Sequence, residues 1–164
     1  MKTIYIIRHA KSDWDDAELH DIERPLADRG LKDARMMATL LKEKKVMPDK
    51  MISSPALRAF STCRIFSDII GFDKKDIAVE QVLYFGNIAE IIKMLQSQLQ
   101  ATNNICIFGH NPTFSLLSSV LCPEFSAEMP TCSIVALQFD IERWANLETK
   151  AAKLLWFEYP KKNR

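Results

Sequence analysis

Lys2-Thr3-Ile4-Tyr5-Ile6-Ile7, running straight into Arg8-His9-Ala10-Lys11-Ser12, is the stretch that decides the fold. Its β-branched and aromatic residues read as a short buried strand near the centre of a sheet. A buried strand cannot end in an arginine and a histidine unless their polar groups are paired or face a site. The chain therefore sets a permanent cation and an imidazole at the carboxyl end of a core strand. That edge is where open α/β sheets bind their ligands.

Outward from this strand the same grammar recurs. Asn104 to Phe108 (N-I-C-I-F) is a second buried strand, and it ends at Gly109-His110-Asn111-Pro112. Asn111 is expected to cap a helix that starts at Pro112 and runs to Leu121. Met51-Ile52-Ser53 is a third strand, followed by Ser54 as cap and Pro55 as first helical residue. That helix is expected to run to Ile70 and close at Gly71. Ala34, Met37, Ala38 and Leu41 share one face of a helix over 31–45, and Ile88 to Leu99 repeats the pattern. Short strands are expected at 77–79, 132–139 and 152–157. Residues 10–30 are charged and aperiodic, and read as a long loop tied down by Trp14, Leu19, Ile22 and Leu26. Ordered loops of that length are usually functional. The order β-α-β-α-β-α-β-α-β-β predicts a three-layer α/β/α sandwich around a mainly parallel sheet. At 164 residues the chain is expected to form one domain, residues 1–164, with a full core.

Composition excludes several classes of function. The formal net charge of +1 gives no global field for nucleic acid or a membrane surface, so any anion recognition must be local. No apolar run is long enough to span a bilayer. Lys2 and the apolar residues after it resemble the start of a secretory leader, but Arg8 interrupts them too soon. Cys63, Cys106, Cys122 and Cys132 form no C-x-x-C pair and have no histidine at metal-binding spacing. They read as reduced, buried thiols of a cytoplasmic protein.

Three junctions collect the chemistry: Arg8-His9, Arg58 near the start of a helix, and His110 just before another. In a parallel α/β fold all three lie on one edge of the sheet. They would bring two arginines and two histidines together beside two helix N-termini, a dianion site built from local charge. Arginine grips phosphoryl oxygens with a planar fork and stays charged. One histidine can attack phosphorus if its other ring nitrogen is pinned as a donor, and the second can donate to the transferring group. Taken singly, each feature has a plain reading: a capped turn, a solvated arginine, a structural histidine, two ordinary helix caps. His20 and the aspartates of the loop read as surface residues. Joint appearance at three aligned junctions favours the site.

These residues also resemble a known family. Ile6-Ile7-Arg8-His9-Ala10-Lys11-Ser12-Asp13-Trp14 is similar to the signature of the histidine phosphatase superfamily. Asp21-Ile22-Glu23-Arg24-Pro25-Leu26 through Gly30, Ser53-Ser54-Pro55-Ala56-Leu57-Arg58-Ala59 and Gly109-His110-Asn111-Pro112 resemble its SixA-like branch in order and spacing. The resemblance implies a phosphoglycerate-mutase-like sandwich without a large helical insertion. It implies His9 as the phospho-accepting nucleophile, with Arg8, Arg58 and His110 around the phosphoryl group. Asp21, Arg24 and Asn111 fall on substrate-binding positions. No cofactor and no metal are expected. The general-acid carboxylate of many relatives has no counterpart in register, and Asp21 and Glu80 stay open for that role. The implied activity removes phosphate from phosphohistidine in a protein. A phosphatase of small phosphorylated metabolites and a non-catalytic module that binds a phosphorylated ligand are the alternatives. Neither a nucleic-acid nor a membrane partner is expected, and the oligomeric state is not legible.

Overall fold

β1 (Lys2–Arg8) lies between β4 (Asn104–Gly109) and β5 (Ile134–Phe139) in a computed structural model that describes residues 1–164. With β2 (Lys50–Ser53), β3 (Ala78–Val79) and β6 (Lys153–Glu158), these strands form one six-stranded sheet in the order β3-β2-β4-β1-β5-β6. β1 pairs parallel with β4, β4 with β2, and β2 with β3. Only β5 runs against its neighbours β1 and β6. The expected mainly parallel α/β sandwich is what forms, with the antiparallel pairing confined to the last strands.

Both faces of β1 are covered, which is why its sequence shows no apolar-polar alternation. Ile4 and Ile6 join Ile105, Ile107, Val135 and Leu137 in one core layer. Tyr5 and Ile7 join Cys106, Phe108, Ile134 and Ala136 in the other. α1 (Asp28–Glu43) and α2 (Leu57–Ile70) close the second layer through Met37, Leu41, Cys63 and Phe66. α3 (Val82–Phe85), α4 (Ile88–Gln96) and α5 (Thr113–Leu121) close the first through Leu83, Ile91, Leu95, Phe114 and Leu117. Phe108 is fully buried against Phe66, and truncating it to alanine would cost about 3–5 kcal/mol. A last turn, α6 (Pro160–Asn163), packs near α1. The four cysteines are buried and free. No helix is long and apolar enough to cross a membrane.

Several boundaries differ from the expected ones for reasons that bear on the site. α1 begins at Asp28, three residues before the expected Leu31, and takes Gly30 into its first turn. Gly30 is the last residue of the expected loop, and here it serves clearance: a Cβ would run into the backbone carbonyl of Lys11. The same carbonyl accepts from the Ala27 amide at 2.9 Å, so the loop after β1 is laced to the start of α1. α2 begins at Leu57 and α5 at Thr113, not at Pro55 and Pro112. Ser54 and Asn111 thus stand ahead of their helices, yet each still takes a helix-start amide: Ser54 Oγ accepts from the Ala56 N–H and Asn111 Oδ1 from the Ser115 N–H. α2 does end at Gly71, whose left-handed backbone (φ 84°) closes it.

Candidate active site

Parallel pairing sets Arg8 opposite Gly109, so the next residue on each strand is a histidine. The His9 and His110 rings lie 5.2 Å apart, centroid to centroid. His9 is 8 % exposed. Its Nδ1 lies 2.7 Å from the Ala10 carbonyl. A carbonyl oxygen only accepts, so Nδ1 carries the proton and Nε2 keeps its lone pair. Burial pushes the His9 pKa down to about 4, and Arg58, Arg8 and Arg24 push the same way against the Ala10 bond. At neutral pH the ring is uncharged and its Nε2 lone pair is free to react.

The Ala10 peptide that pins His9 is itself held. Its N–H donates to Thr62 Oγ1 at 3.1 Å, and the Thr62 hydroxyl donates to the Arg58 carbonyl one turn back at 2.7 Å. One fully buried threonine thus joins the His9 loop to the arginine-bearing first turn of α2.

The arginines form a second tier. Arg8 Nη1 donates to the Met129 carbonyl at 2.8 Å. Asp21 takes four donors on its carboxylate. Oδ1 accepts from Arg24 Nε at 3.2 Å and Nη2 at 3.1 Å, while Oδ2 accepts from Arg58 Nη2 at 3.0 Å and the Tyr84 hydroxyl at 2.6 Å. The Asp21 carbonyl takes Arg58 Nη1 at 2.7 Å. Arg24 Nη1 reaches Ser12 Oγ at 2.7 Å, and its guanidinium lies 3.4 Å over the Trp14 ring. The Tyr84 bond, with both arginines adding to it, holds Asp21 down at about 2. That carboxylate is ionised and carries no proton to give. Asp21 does not line the cavity beside His9; it ties together the two arginines that do.

His110 points its Nε2 at Ser54 Oγ, 2.8 Å away, and the same oxygen accepts from the Ala56 amide at 3.2 Å. Burial pushes the His110 pKa down to about 3, with His9 and Arg58 adding to the effect. Asn111 is spent on structure. Its Nδ2 donates to the Met129 carbonyl at 3.0 Å, and its Oδ1 accepts from the Ser115 amide at 3.1 Å and hydroxyl at 2.9 Å. The Asn111–Pro112 peptide is cis.

A cavity of about 220 Å³ opens among these groups, lined by Arg8, His9, Lys11, Ser12, Trp14, Arg24, Arg58, His110, Asn111 and Thr131. Four of these residues are cationic and none is a carboxylate. In a chain of net charge +1, four cations converge on this cavity and give it a local positive field. Three buried nitrogens around the cavity have no partner: Arg8 Nε, Arg58 Nε and His110 Nδ1. Buried polar atoms of this kind cost about 1–3 kcal/mol each when left unpaired. A bound oxyanion would complete them.

Six of the seven residues singled out from sequence line the cavity, and Asp21 stands behind it. Glu80, open as a general acid, lies elsewhere: it is exposed and faces a separate groove with Val82, Glu90 and Lys93. From that segment it is Tyr84 that reaches the site, its ring against His110 and its hydroxyl on Asp21. Lys11, Ser12, Trp14, Ser54, Thr62, Tyr84 and Thr131 were not singled out. Lys11, Ser12 and Trp14 adjoin the Arg8-His9 pair, and proximity alone could have flagged them. For Thr62, Thr131 and Tyr84 the sequence carries no local signal, since their partners lie far along the chain.

The fold and the geometry define a class, and comparison with known proteins agrees with it. The family model described as the histidine phosphatase superfamily, branch 1, matches residues 4–82, which hold Arg8, His9, Asp21, Arg24 and Arg58. By this match over just under half of its length, and by the relatives that follow, the chain is similar to that superfamily. Within the superfamily, phosphohistidine phosphatase SixA of Escherichia coli is 28% identical over 134 residues, covering 81% of this chain and 82% of that protein. The structure of the protein histidine phosphatase SixA complexed with tungstate superposes with a TM-score of 0.85 at 25% identity, over 99% of both chains. Phosphoglycerate mutase 1 of Saccharomyces cerevisiae is 34% identical over 67 residues, which are 40% of this chain and 27% of that enzyme.

Proposed function

We propose that this protein is a metal-independent phosphohistidine phosphatase that acts on a phosphorylated protein through a covalent intermediate on His9. The observation that carries the reading is the composition of the cavity: four cations, two neutral histidines and no carboxylic acid. His9 Nε2 attacks phosphorus in line, and the bond from phosphorus to the leaving nitrogen breaks with its electron pair going to that nitrogen. Arg8, Lys11, Arg24, Arg58 and His110 surround the equatorial oxygens. A water then forms the new oxygen–phosphorus bond. The Nε2–phosphorus bond breaks, His9 regains its lone pair, and the water's proton leaves with inorganic phosphate or to solvent.

The missing acid selects among substrates. A sugar or serine phosphate must expel a strongly basic alkoxide, which needs a positioned proton donor. A protonated phosphohistidine expels neutral imidazole, whose conjugate acid has a pKa of about 6.5 and needs no such help. The likeness to SixA supports the same substrate, and tungstate, bound in that structure, is a tetrahedral oxyanion like phosphate. Two exposed rings beside the site, Trp14 on Arg24 and Phe85 on Tyr84, offer a surface suited to a macromolecular partner. Charge for the transition state comes from side chains, and no cluster of three or more His, Cys, Asp or Glu is arranged to hold a metal ion.

The test is kcat/KM across phosphohistidine protein, phosphoramidate, an aryl phosphate and a sugar phosphate, with and without EDTA. The expected ranking is steep in that order and indifferent to chelation. A sugar phosphate turned over as well as phosphohistidine would replace this reading with a metabolite phosphatase. Phosphate binding with no turnover of any substrate would replace it with a binding module.

A further inference from the structure

We propose that Ser54 is a positioning residue that locks His110 in the Nδ1–H tautomer, so that His110 meets the transferring phosphoryl group as a neutral hydrogen-bond donor. Ser54 is fully buried. Its Oγ accepts from the Ala56 amide at 3.2 Å, and its other close partner is His110 Nε2 at 2.8 Å. A hydroxyl has one proton to give. If Nε2 carried the ring proton, Ser54 would accept twice and its own buried proton would have no acceptor. If Nε2 is the lone pair, Ser54 accepts from Ala56 and donates to His110, and every atom of the trio is satisfied.

The choice of tautomer decides what the other ring nitrogen is. Nδ1 of His110 is buried and has no partner. In one tautomer it is a lone pair beside a cavity lined by four cations, a site built for an anion, and it would repel one. In the other it is an N–H that a phosphoryl oxygen completes. Both halves of the account favour the same proton position. The ring is also kept from gaining a second proton by its burial among His9, Arg58 and Arg8. The two catalytic-edge histidines then share a tautomer but use opposite nitrogens. The Ala10 carbonyl leaves His9 with a free Nε2 lone pair, and the Ser54 hydroxyl leaves His110 with a free Nδ1–H.

This inference rests on the reading that His110 meets the phosphoryl group, and the experiment separates the two. Long-range ¹H–¹⁵N correlation spectra of the full chain report which nitrogen of each ring bears hydrogen. His110 is expected to show a protonated Nδ1 and a pyridine-like Nε2. Ser54→Ala is expected to shift this pattern and lower kcat by roughly 10- to 100-fold, since a mis-set imidazole tautomer costs an enzyme orders of magnitude. Ser54→Thr, which keeps the hydroxyl, is expected to restore both. A protonated Nε2 on His110 in the unsubstituted protein overturns the lock, and this readout stands even if Ser54→Ala fails to fold. Normal kcat in Ser54→Ala beside a crippled His110→Ala overturns the lock alone. Normal kcat in His110→Ala removes His110 from the reaction, and the functional half of the proposal with it.

Discussion

The ends of β1 and β4 are neighbours in the sheet, and each delivers a histidine to the same cavity. They differ in what waits at the far side of the ring. Behind His9 stands a backbone carbonyl, which can only accept a hydrogen bond. Behind His110 stands a serine hydroxyl that already accepts from an amide and so has a proton to give. The first arrangement exposes a lone pair suited to attack. The second leaves an unpartnered nitrogen among cations, which the proposed lock makes a donor. Identical side chains at adjacent strand ends thus acquire different chemistry from partners that never touch the substrate.

The most direct way to break this comparison is to remove each ring. His9→Ala takes away the atom proposed to form the covalent bond, and turnover is expected to fall by roughly 10⁴-fold or more. His110→Ala removes one stabilising donor, and a loss of about 10²–10³ is expected. Brief reaction with ³²P-labelled substrate should leave an acid-labile, alkali-stable label in the wild type and in His110→Ala, and none in His9→Ala. A label that persists in His9→Ala would assign the nucleophile to another residue.

Much of this comparison is legible in the sequence, and the gaps have physical causes. The buried strand, the charged pair that ends it and the order of elements are local patterns, and they suffice for the sheet and for the shared edge of Arg8, His9, Arg58 and His110. Ser54-Pro55 and Asn111-Pro112 have the composition of helix starts, and each polar side chain does take a nearby amide, but each helix begins later and the same side chain also reaches a distant partner, His110 for Ser54 and Met129 for Asn111. Gly30 reads as punctuation because its role, clearance for the Lys11 carbonyl, involves a residue far away in sequence. The stretch around Glu80 draws attention as a place for an acid. What it contributes is Tyr84, whose hydroxyl bonds Asp21 across 63 positions of chain. Pairings of this kind leave no periodicity to read.

A second test uses stability, because both rings are held neutral by burial. Unfolded, each titrates near 6.5; folded, His9 does so at about 4 and His110 at about 3. Between those limits the unfolded chain binds more protons, so stability falls as the pH drops from about 6.5 toward 4, by on the order of a few kcal/mol. Asp21 acts in a separate window: its folded pKa of about 2 lies below its ordinary 3.8, so its contribution is present above that value and lost as the pH falls through 2. Urea unfolding at pH 7, 6 and 5 should show the first decline, and His110→Ala should flatten part of it. A pH-independent midpoint over that range would mean that the rings are solvated in the folded state.

The arginine tier sharpens the comparison from outside. Asp21→Asn keeps the shape but replaces one acceptor oxygen with a donor nitrogen that must face an arginine or Tyr84. Misplaced arginines are expected to lower kcat by roughly 10- to 100-fold, since an error of about 1 Å in a positioning group has that scale. The same change removes a negative charge beside the anion site, so inorganic phosphate is expected to bind no more weakly than to wild type. Tyr84→Phe removes one of the four donors and should cost only a few-fold. Equal kinetics in Asp21→Asn and wild type would show that the arginines hold their places without it.

The smallest expected effect is the one most diagnostic of leaving-group chemistry. If a carboxylic acid assisted departure, Glu80 would be the candidate remaining once Asp21 is ionised and engaged by four donors. Glu80 is exposed, and its groove is lined by Val82, Glu90, Lys93, Met94 and Ser97, none of which lines the histidine cavity. What ties its residue to the sheet is backbone: the Glu80 amide donates to the Ser53 carbonyl at 3.0 Å, and the Glu80 carbonyl accepts from Leu83 at 3.1 Å. Glu80→Gln leaves those bonds intact and removes the carboxyl group that could carry a proton. The expected kcat/KM is therefore within about twofold of wild type for phosphohistidine, aryl phosphate and sugar phosphate alike, the range of a surface substitution that moves stability by less than ~0.5 kcal/mol. A selective collapse on the sugar phosphate, with phosphohistidine untouched, would identify Glu80 as an acid that swings in when substrate binds. It would also mean that the two histidines do not work with arginines alone. A flat response leaves leaving-group basicity as what separates good substrates from poor ones.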